Sequence, residues 1–211
     1  MTIEHVDNAI INALEGKSNL DESVLSIRGF STPTMRHLFN NLCNIKEGNY
    51  LEVGLYCGAT FCSSFNKDTV SIGIEDFSQS FGVDTVKDEL ILNFEKFKGL
   101  SKNAFVFDQD CFKINKLDYP FPFQVYFFDG EHSEESQSKA LPYFIDYMAD
   151  KFLFIVDDIN WESVALGTQK GFEQLEDKIT LENCWIMKGE KEQDDPIWHN
   201  GMAIFLISKK K

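Results

Sequence analysis

Apolar residues recur along this chain with two different periods. Over residues 3–15 the spacing of Ile3, Val6, Ile10, Ile11 and Leu14 predicts an amphipathic helix, which Gly16 and Asn19 end. A second helix is predicted over 33–43, where Pro33 suits a first turn and Met35, Leu38, Phe39 and Leu42 form a stripe. From residue 50 the pattern changes. Short, nearly all-apolar runs at Tyr50–Val53, Val70–Ile74, Ala104–Phe107, Gln124–Phe128 and Phe152–Val156 read as strands covered on both faces. Between them, 58–66, 84–98, 133–149 and 161–177 carry helical patterns, with a kink or late start expected at Pro142. The segment 108–122 is too short and turn-rich to read as a helix. Two last strands, Ile179–Met187 and Met202–Ile207, have only a polar loop between them and should pair antiparallel. The expected fold class is α/β, a three-layer αβα sandwich on a seven-strand, mostly parallel sheet that ends in an antiparallel hairpin. Residues 1–211 read as a single domain, with a helical extension at 1–48 before a core at 49–211.

Composition narrows the function. A formal net charge of −14 repels polyphosphates, so no nucleic-acid partner is expected; the one basic run, Lys209 to Lys211, reads as a solvated tail. The five cysteines are odd in number and form no C-x-x-C pair, which suggests neither a disulfide framework nor a zinc cluster. The acidic start does not look like a signal peptide, and no apolar run reaches membrane-spanning length, so no membrane partner is expected and the cytoplasm is the expected compartment. The apolar N-terminal helices leave room for a homo-oligomeric interface. Most of the 20 phenylalanines fall in periodic segments and read as core.

The chemistry gathers at the ends of the predicted strands. The first runs into Glu52-Val53-Gly54-Leu55-Tyr56-Cys57-Gly58-Ala59-Thr60. A glycine directly after a buried strand permits a sharp turn and close approach to a ligand; Gly58 would open the next helix, and Glu52 would add negative charge beside the loop. An ordinary tight turn is the plain alternative. The second strand ends at Glu75, about 20 residues beyond the glycine loop, where an acid accepts from ribose hydroxyls in nucleotide-binding units. A dinucleotide loop would need glycine where Tyr56 stands, and the Lys-Ser/Thr pair of a phosphate-binding P-loop is missing. An adenosine ligand with a sulfonium and no phosphate suits this acid-rich loop better.

Residues Tyr50 to Thr60 with Glu75 resemble the first two motifs of class I S-adenosylmethionine-dependent methyltransferases. Phe127-Phe128-Asp129-Gly130-Glu131-His132-Ser133 resembles the D-G-x-H end of that family's fourth strand, and Phe154-Ile155-Val156-Asp157-Asp158 the end of its fifth. The likeness is strongest to small-molecule O-methyltransferases, including metal-dependent sugar-modifying ones. It implies a Rossmann-like fold, S-adenosyl-L-methionine as cofactor and a small-molecule acceptor. By this resemblance Gly54, Tyr56 and Gly58 pass over the methionine part, Glu75 holds the ribose, and Asp110 with Cys111 borders the adenine; Asp110 serves equally well as a turn cap.

Asp129, Asp157 and Asp158 lie at neighbouring strand ends, where three carboxylates repel unless a proton, a hydrogen bond or a cation intervenes. An oxygen-only set suits Mg²⁺; binding of the cofactor ammonium by these acids, Asp129 among them, or helix capping by Asp158, is the alternative. His132 is a candidate general base, with Glu131 as its orienter or substitute; a capping role at the helix start is the alternative. Trp161 and Asn160, and the loop Gly189–Asn200 with Trp198 and His199, would edge the acceptor. The loop from Arg28 to Ser31 would fold over the cofactor, with Arg28 or Arg36 reaching its carboxylate. Two other readings stand beside methyl transfer: a nicotinamide-dependent oxidoreductase, and a non-catalytic descendant of the methyltransferase fold.

Overall fold

The computed structural model describes residues 1–46, 48–79, 82–114, 122–188 and 195–210. Seven strands form one sheet: β1 (Tyr50–Val53), β2 (Val70–Glu75), β3 (Asn103–Asp108), β4 (Phe123–Phe128), β5 (Met148–Asp157), β6 (Ile179–Met187) and β7 (Met202–Lys209), in the order β3-β2-β1-β4-β5-β7-β6. β1 to β5 run parallel, whereas β7 is antiparallel to β5 and β6 to β7. Chain order reverses between β1 and β4, so the chain continues from these two strands to helices on opposite faces and a crevice opens at their carboxyl ends.

Helices cover both faces. On one side lie α1 (Ile3–Leu14), α2 (Glu22–Leu25), α3 (Pro33–Cys43), α4 (Ala59–Ser63) and α5 (Val86–Phe97); on the other lie α6 (Glu134–Phe144) and α7 (Glu162–Glu173). Alternation along the strands feeds both layers. Tyr50, Val125, Leu153 and Ile204 pack toward the first set, while Leu51, Tyr126, Phe154 and Phe205 pack toward the second. Residues 3–14 and 33–43 join the first of these cores through Val6, Ala13, Leu38 and Phe39.

Two expectations need correction, and one helix was not expected. The helix expected over 133–149 runs past Pro142 to Phe144 and gives way to a 3₁₀ turn, Ile145–Tyr147, because Met148 is taken into the sheet beside Phe123. β5 starts at Met148, not Phe152, because Met148 pairs with Phe123 and Lys151 with Ser208. The short α2 lacks any periodic signal; Asp21 fixes its start by accepting from the Ser23 N–H at 2.8 Å. Part of the segment 108–122 and of the loop 189–200 lies outside the described residues. Among the described residues no helix is long and apolar enough to cross a membrane.

Candidate functional site

A cavity of about 640 Å³ occupies the crevice at the carboxyl ends of β1, β2, β4 and β5. Its floor is built by one close approach. Gly54 has φ +85°, and a Cβ placed there would lie 1.9 Å from the Asp129 carbonyl oxygen, so the chain leaving β1 touches the chain leaving β4. Glu75 ties the glycine loop to the next strand. One of its oxygens accepts from the N–H groups of Leu55 (2.8 Å) and Tyr56 (3.0 Å), and the other accepts from Phe77 N–H at 2.8 Å. Backbone N–H groups that would cradle a pyrophosphate are thus already spent on a carboxylate.

Of the residues expected at the site, Gly54, Tyr56, Glu75, Asp110, Cys111, Asp129, Glu131, His132, Asp157 and Asp158 line this cavity. Glu52 and Gly58 are not among its lining residues. Glu52 points into the core, fully buried, where Tyr50 Oη and Thr60 Oγ1 each donate to it at 2.5 Å; burial pushes its carboxyl up to about 8, against the pull of those two hydroxyls. Gly58 faces Leu90 of α5. Asp110 caps the turn after β3, accepting from Phe112 N–H at 2.9 Å, and pairs with Lys113; the Lys113 ammonium first, then that N–H, holds its carboxyl below the usual range. Burial, then Asp110, raises the Cys111 thiol to about 12, so it enters as an apolar wall.

The acidic end differs from the set of three aspartates expected. Asp129, His132 and Asp158 each offer one ligand-type atom, all within 4.8 Å of one another, and Asp157 is not in this group. His132 Nε2 lies 3.1 Å from Asp158 Oδ2 and 3.6 Å from Asp129 Oδ1. Nevertheless His132 Nε2, Asp158 Oδ1 and Asp157 Oδ1 are buried with no hydrogen-bond partner among the described residues. Neither Asp158 nor His132 caps a helix: α7 starts without a side-chain cap, and Ser133 caps α6 by accepting from Ser136 N–H. Glu131 does not orient His132 either, since both its oxygens are on Ser133. Asp129 keeps 32% of its side chain open to the cavity, yet protein walls surround it; their desolvation first, then Asp158, Glu52 and Glu75, raise its carboxyl well above normal. Asp157 is raised likewise, by burial and then by Asp129 and Asp158.

Such atoms, short of hydrogen bonds and mutually repulsive, are what a cation would relieve, so the residues present fit a divalent ion. With an imidazole in the set, the preference moves from Mg²⁺ toward first-row transition ions such as Mn²⁺. Backbone strain marks the same place. Tyr56 (φ 49°), Asp158 (φ 53°) and His199 (φ 52°) are non-glycine residues in the left-handed region, and all three line the cavity.

The far wall is formed by Trp161, His199 and Asn200. Trp161 meets the His132 ring edge-on at 4.9 Å and remains 37% exposed, whereas Trp198 is core. Arg28 and Arg36 do not reach into the cavity. Arg28 grips Glu89, and buried Arg36 donates to the backbone of residues 25–31. Phe30, in the loop expected to fold over the cofactor, lines the cavity, as do Phe112 and Lys139, which no motif or period in the sequence singles out.

Solved structures with this arrangement of strands and helices include an O-methyltransferase from Bacillus cereus in complex with SAH (TM-score 0.60, 10% identity, 100% of this chain and 92% of that one). A putative caffeoyl-CoA O-methyltransferase from Staphylococcus aureus aligns with TM-score 0.62 at 13% identity, over 95% of this chain and 98% of that one. The fold is that of the class I methyltransferases. A putative rRNA-methylase from Clostridium thermocellum shares it (TM-score 0.55, 12% identity, 82% of this chain and 95% of that one). No protein-family model matches the sequence, and no curated protein does.

Proposed function

We propose that the protein transfers a methyl group from S-adenosylmethionine to a hydroxyl of a small molecule. The observation that carries this reading is the cavity's acidic lining: Glu75, Asp76, Glu131 and Asp158 line it beside Asp129 and Asp157, whose carboxyls burial raises, and the one lysine among its described lining residues, Lys139, is paired with Glu135. That lining suits a cationic sulfur and repels phosphates. Glu75's grip on the glycine loop counts against a nicotinamide dinucleotide on the same grounds. The net charge of −14 counts against an RNA acceptor.

The cofactor supplies the reactive methyl group. Gly54 and Tyr56 would bound its methionine end, and Glu75, whose Oε1 accepts only from Phe77 N–H and keeps a lone pair free, would accept from its ribose. Asp110 with Cys111 would border the adenine. Trp161, His199 and Asn200 would hold the acceptor so that its oxygen faces the sulfur from the opposite side; positioning of this kind supplies most of the rate. A divalent ion held by Asp129, His132 and Asp158 would supply Lewis acidity toward the acceptor oxygen. A second reading gives His132 the role of base, and its 3.1 Å contact with Asp158 supports it. The absence of a formed hydrogen bond in that contact favours the ligand role.

Calorimetry with S-adenosylmethionine, S-adenosylhomocysteine and NAD tests the core of this reading. The first two should bind and NAD should not. Binding of NAD alone, or of none of the three, overturns it. Methyl-labelled cofactor offered with hydroxylated metabolites and with RNA then assigns the acceptor, and label confined to the RNA refutes the small-molecule part.

A further inference from the structure

Five residues ahead of α3 join parts of the cavity that are otherwise separate. Arg36, buried on α3, donates to the carbonyls of Leu25 (2.5 Å), Ile27 (2.6 Å) and Ser31 (3.1 Å) and to Ser31 Oγ (3.1 Å), so this segment is shaped from beneath by one side chain. A buried cation spent wholly on backbone and hydroxyl oxygens costs desolvation, and fixing the course of residues 25–31 is what it gains. Next, Arg28 makes a two-pronged bond to Glu89 of α5 (2.8 and 2.9 Å) and donates to Tyr56 Oη at 3.0 Å. Glu89 is held in turn by Thr85 Oγ1 at 2.6 Å. Gly29 passes so close to α4 that a Cβ on it would meet the Ala59 Cβ at 2.9 Å. Phe30 lies over the cavity against the Tyr56 ring, with centroids 5.0 Å apart. At the far end Thr32 Oγ1 donates to the Ile197 carbonyl at 2.6 Å, next to His199 and Asn200 of the opposite wall.

We infer that residues 28–32 are a strap coupling the glycine-loop end of the cavity to the 195–201 wall, with Arg28 and Thr32 as its fasteners. Arg28 is a positioning residue: it acts through Tyr56, whose left-handed backbone its guanidinium helps to hold. The 195–201 loop is ordered by Asp195, which accepts from the N–H groups of Ile197 and Trp198 at 2.8 Å, and by the Asp195–His199 backbone pair. A ligand that orders Tyr56 therefore orders the strap, and the strap orders the wall; by reciprocity, filling the wall tightens the glycine loop. The ligand half of this inference rests on the function proposed above.

Amide hydrogen exchange on the full chain tests it in two arms. In ligand-free protein, Arg28→Ala should speed exchange of the amides of residues 197–201 at least about threefold while the β4 amides keep their rates. Thr32→Val should do the same, and Thr32→Ser, which keeps the hydroxyl, should behave as wild type. In the second arm, saturating S-adenosylhomocysteine should slow exchange at residues 55–57 and at 197–201 in the wild type. Arg28→Ala should keep the first protection and lose the second. Equal exchange at 197–201 in Arg28→Ala and wild type without ligand overturns the strap, as does equal remote protection in both with ligand. If calorimetry finds no S-adenosylhomocysteine binding, the methyl-transfer reading fails and the ligand-free arm still decides the coupling.

Discussion

Gly54 is where the backbone makes the site, and replacing it with alanine separates two costs that are usually confounded. The first is conformational: an L-residue at φ +85° costs about 1–2 kcal/mol. The second is steric. The new Cβ would sit 1.9 Å from the Asp129 carbonyl oxygen and 2.6 Å from its carbon, and backbone at the end of β4 cannot swing aside as a side chain would. Overpacking of this kind costs about 1–3 kcal/mol, with this contact at the upper end. Gly54→Ala should thus lose roughly 3–5 kcal/mol of a total near 5–15 kcal/mol. Two controls isolate the terms. Gly82 has φ +74° with nothing within 4 Å of a Cβ, so Gly82→Ala should show only the first cost, about 1–2 kcal/mol. Gly99 also faces open space and its φ is not in the left-handed range, so Gly99→Ala should stay within about 0.5 kcal/mol. Urea unfolding followed by tryptophan fluorescence reads all three. If Gly54→Ala falls within about 1 kcal/mol of Gly82→Ala, roughly the resolution of the method, the two loops do not touch and the cavity has no such floor.

Two further predictions use the acids. Glu52 keeps its proton up to about pH 8 in the folded chain, whereas an unfolded glutamate loses it near 4.3, so between these values the folded state binds the extra proton and stability falls as pH rises. The slope of this one group is about 1.4 kcal/mol per pH unit, and Glu52→Gln should flatten the wild-type profile between pH 5 and 7 by that amount; parallel profiles would show that the carboxyl is not buried as described. Mn²⁺ should bind the wild type, and bind more tightly as pH rises, because Asp129, raised by burial, must shed its proton to act as a ligand. His132→Ala and Asp158→Asn should each abolish binding and Asp157→Asn should leave it measurable; calorimetry that finds Asp157→Asn the more damaging would restore the all-aspartate set.

Much of the sheet is legible in the sequence because its strands are covered on both faces. β1, buried at every position, begins and ends where its apolar run does, and β6, a mostly exposed edge strand, keeps the expected bounds Ile179–Met187. Legibility fails where non-local pairing decides the fold: Met148 and Ala149 read as the end of a helix and Asp150 and Lys151 as a polar break, yet Phe123 and Ser208 draw this stretch into β5. It fails again at Glu52, for a simpler reason. Glu52 is one residue short of the strand's end, on the same side as Tyr50, and period-two alternation turns it into the core beside Thr60 while Val53 reaches the cavity.

The same alternation bears on the acidic trio. Asp157 and Asp158 are adjacent at the end of an extended strand, and successive side chains leaving a strand point to opposite sides. Sending both carboxylates to one ion therefore conflicts with the pleat of the strand itself. Both line the cavity, but only Asp158, held in a left-handed backbone at a cost of about 1–3 kcal/mol, brings an oxygen into the group with Asp129 and His132, and Asp157 stays outside it. The vacated position falls to His132, three residues beyond Asp129 on the same loop and within 3.6 Å of it. That spacing is visible in the sequence. It reads there as chemistry for a base because an imidazole beside one carboxylate is ambiguous, and only a second carboxylate 3.1 Å away, with neither group satisfied by a hydrogen bond, makes the imidazole look like a ligand.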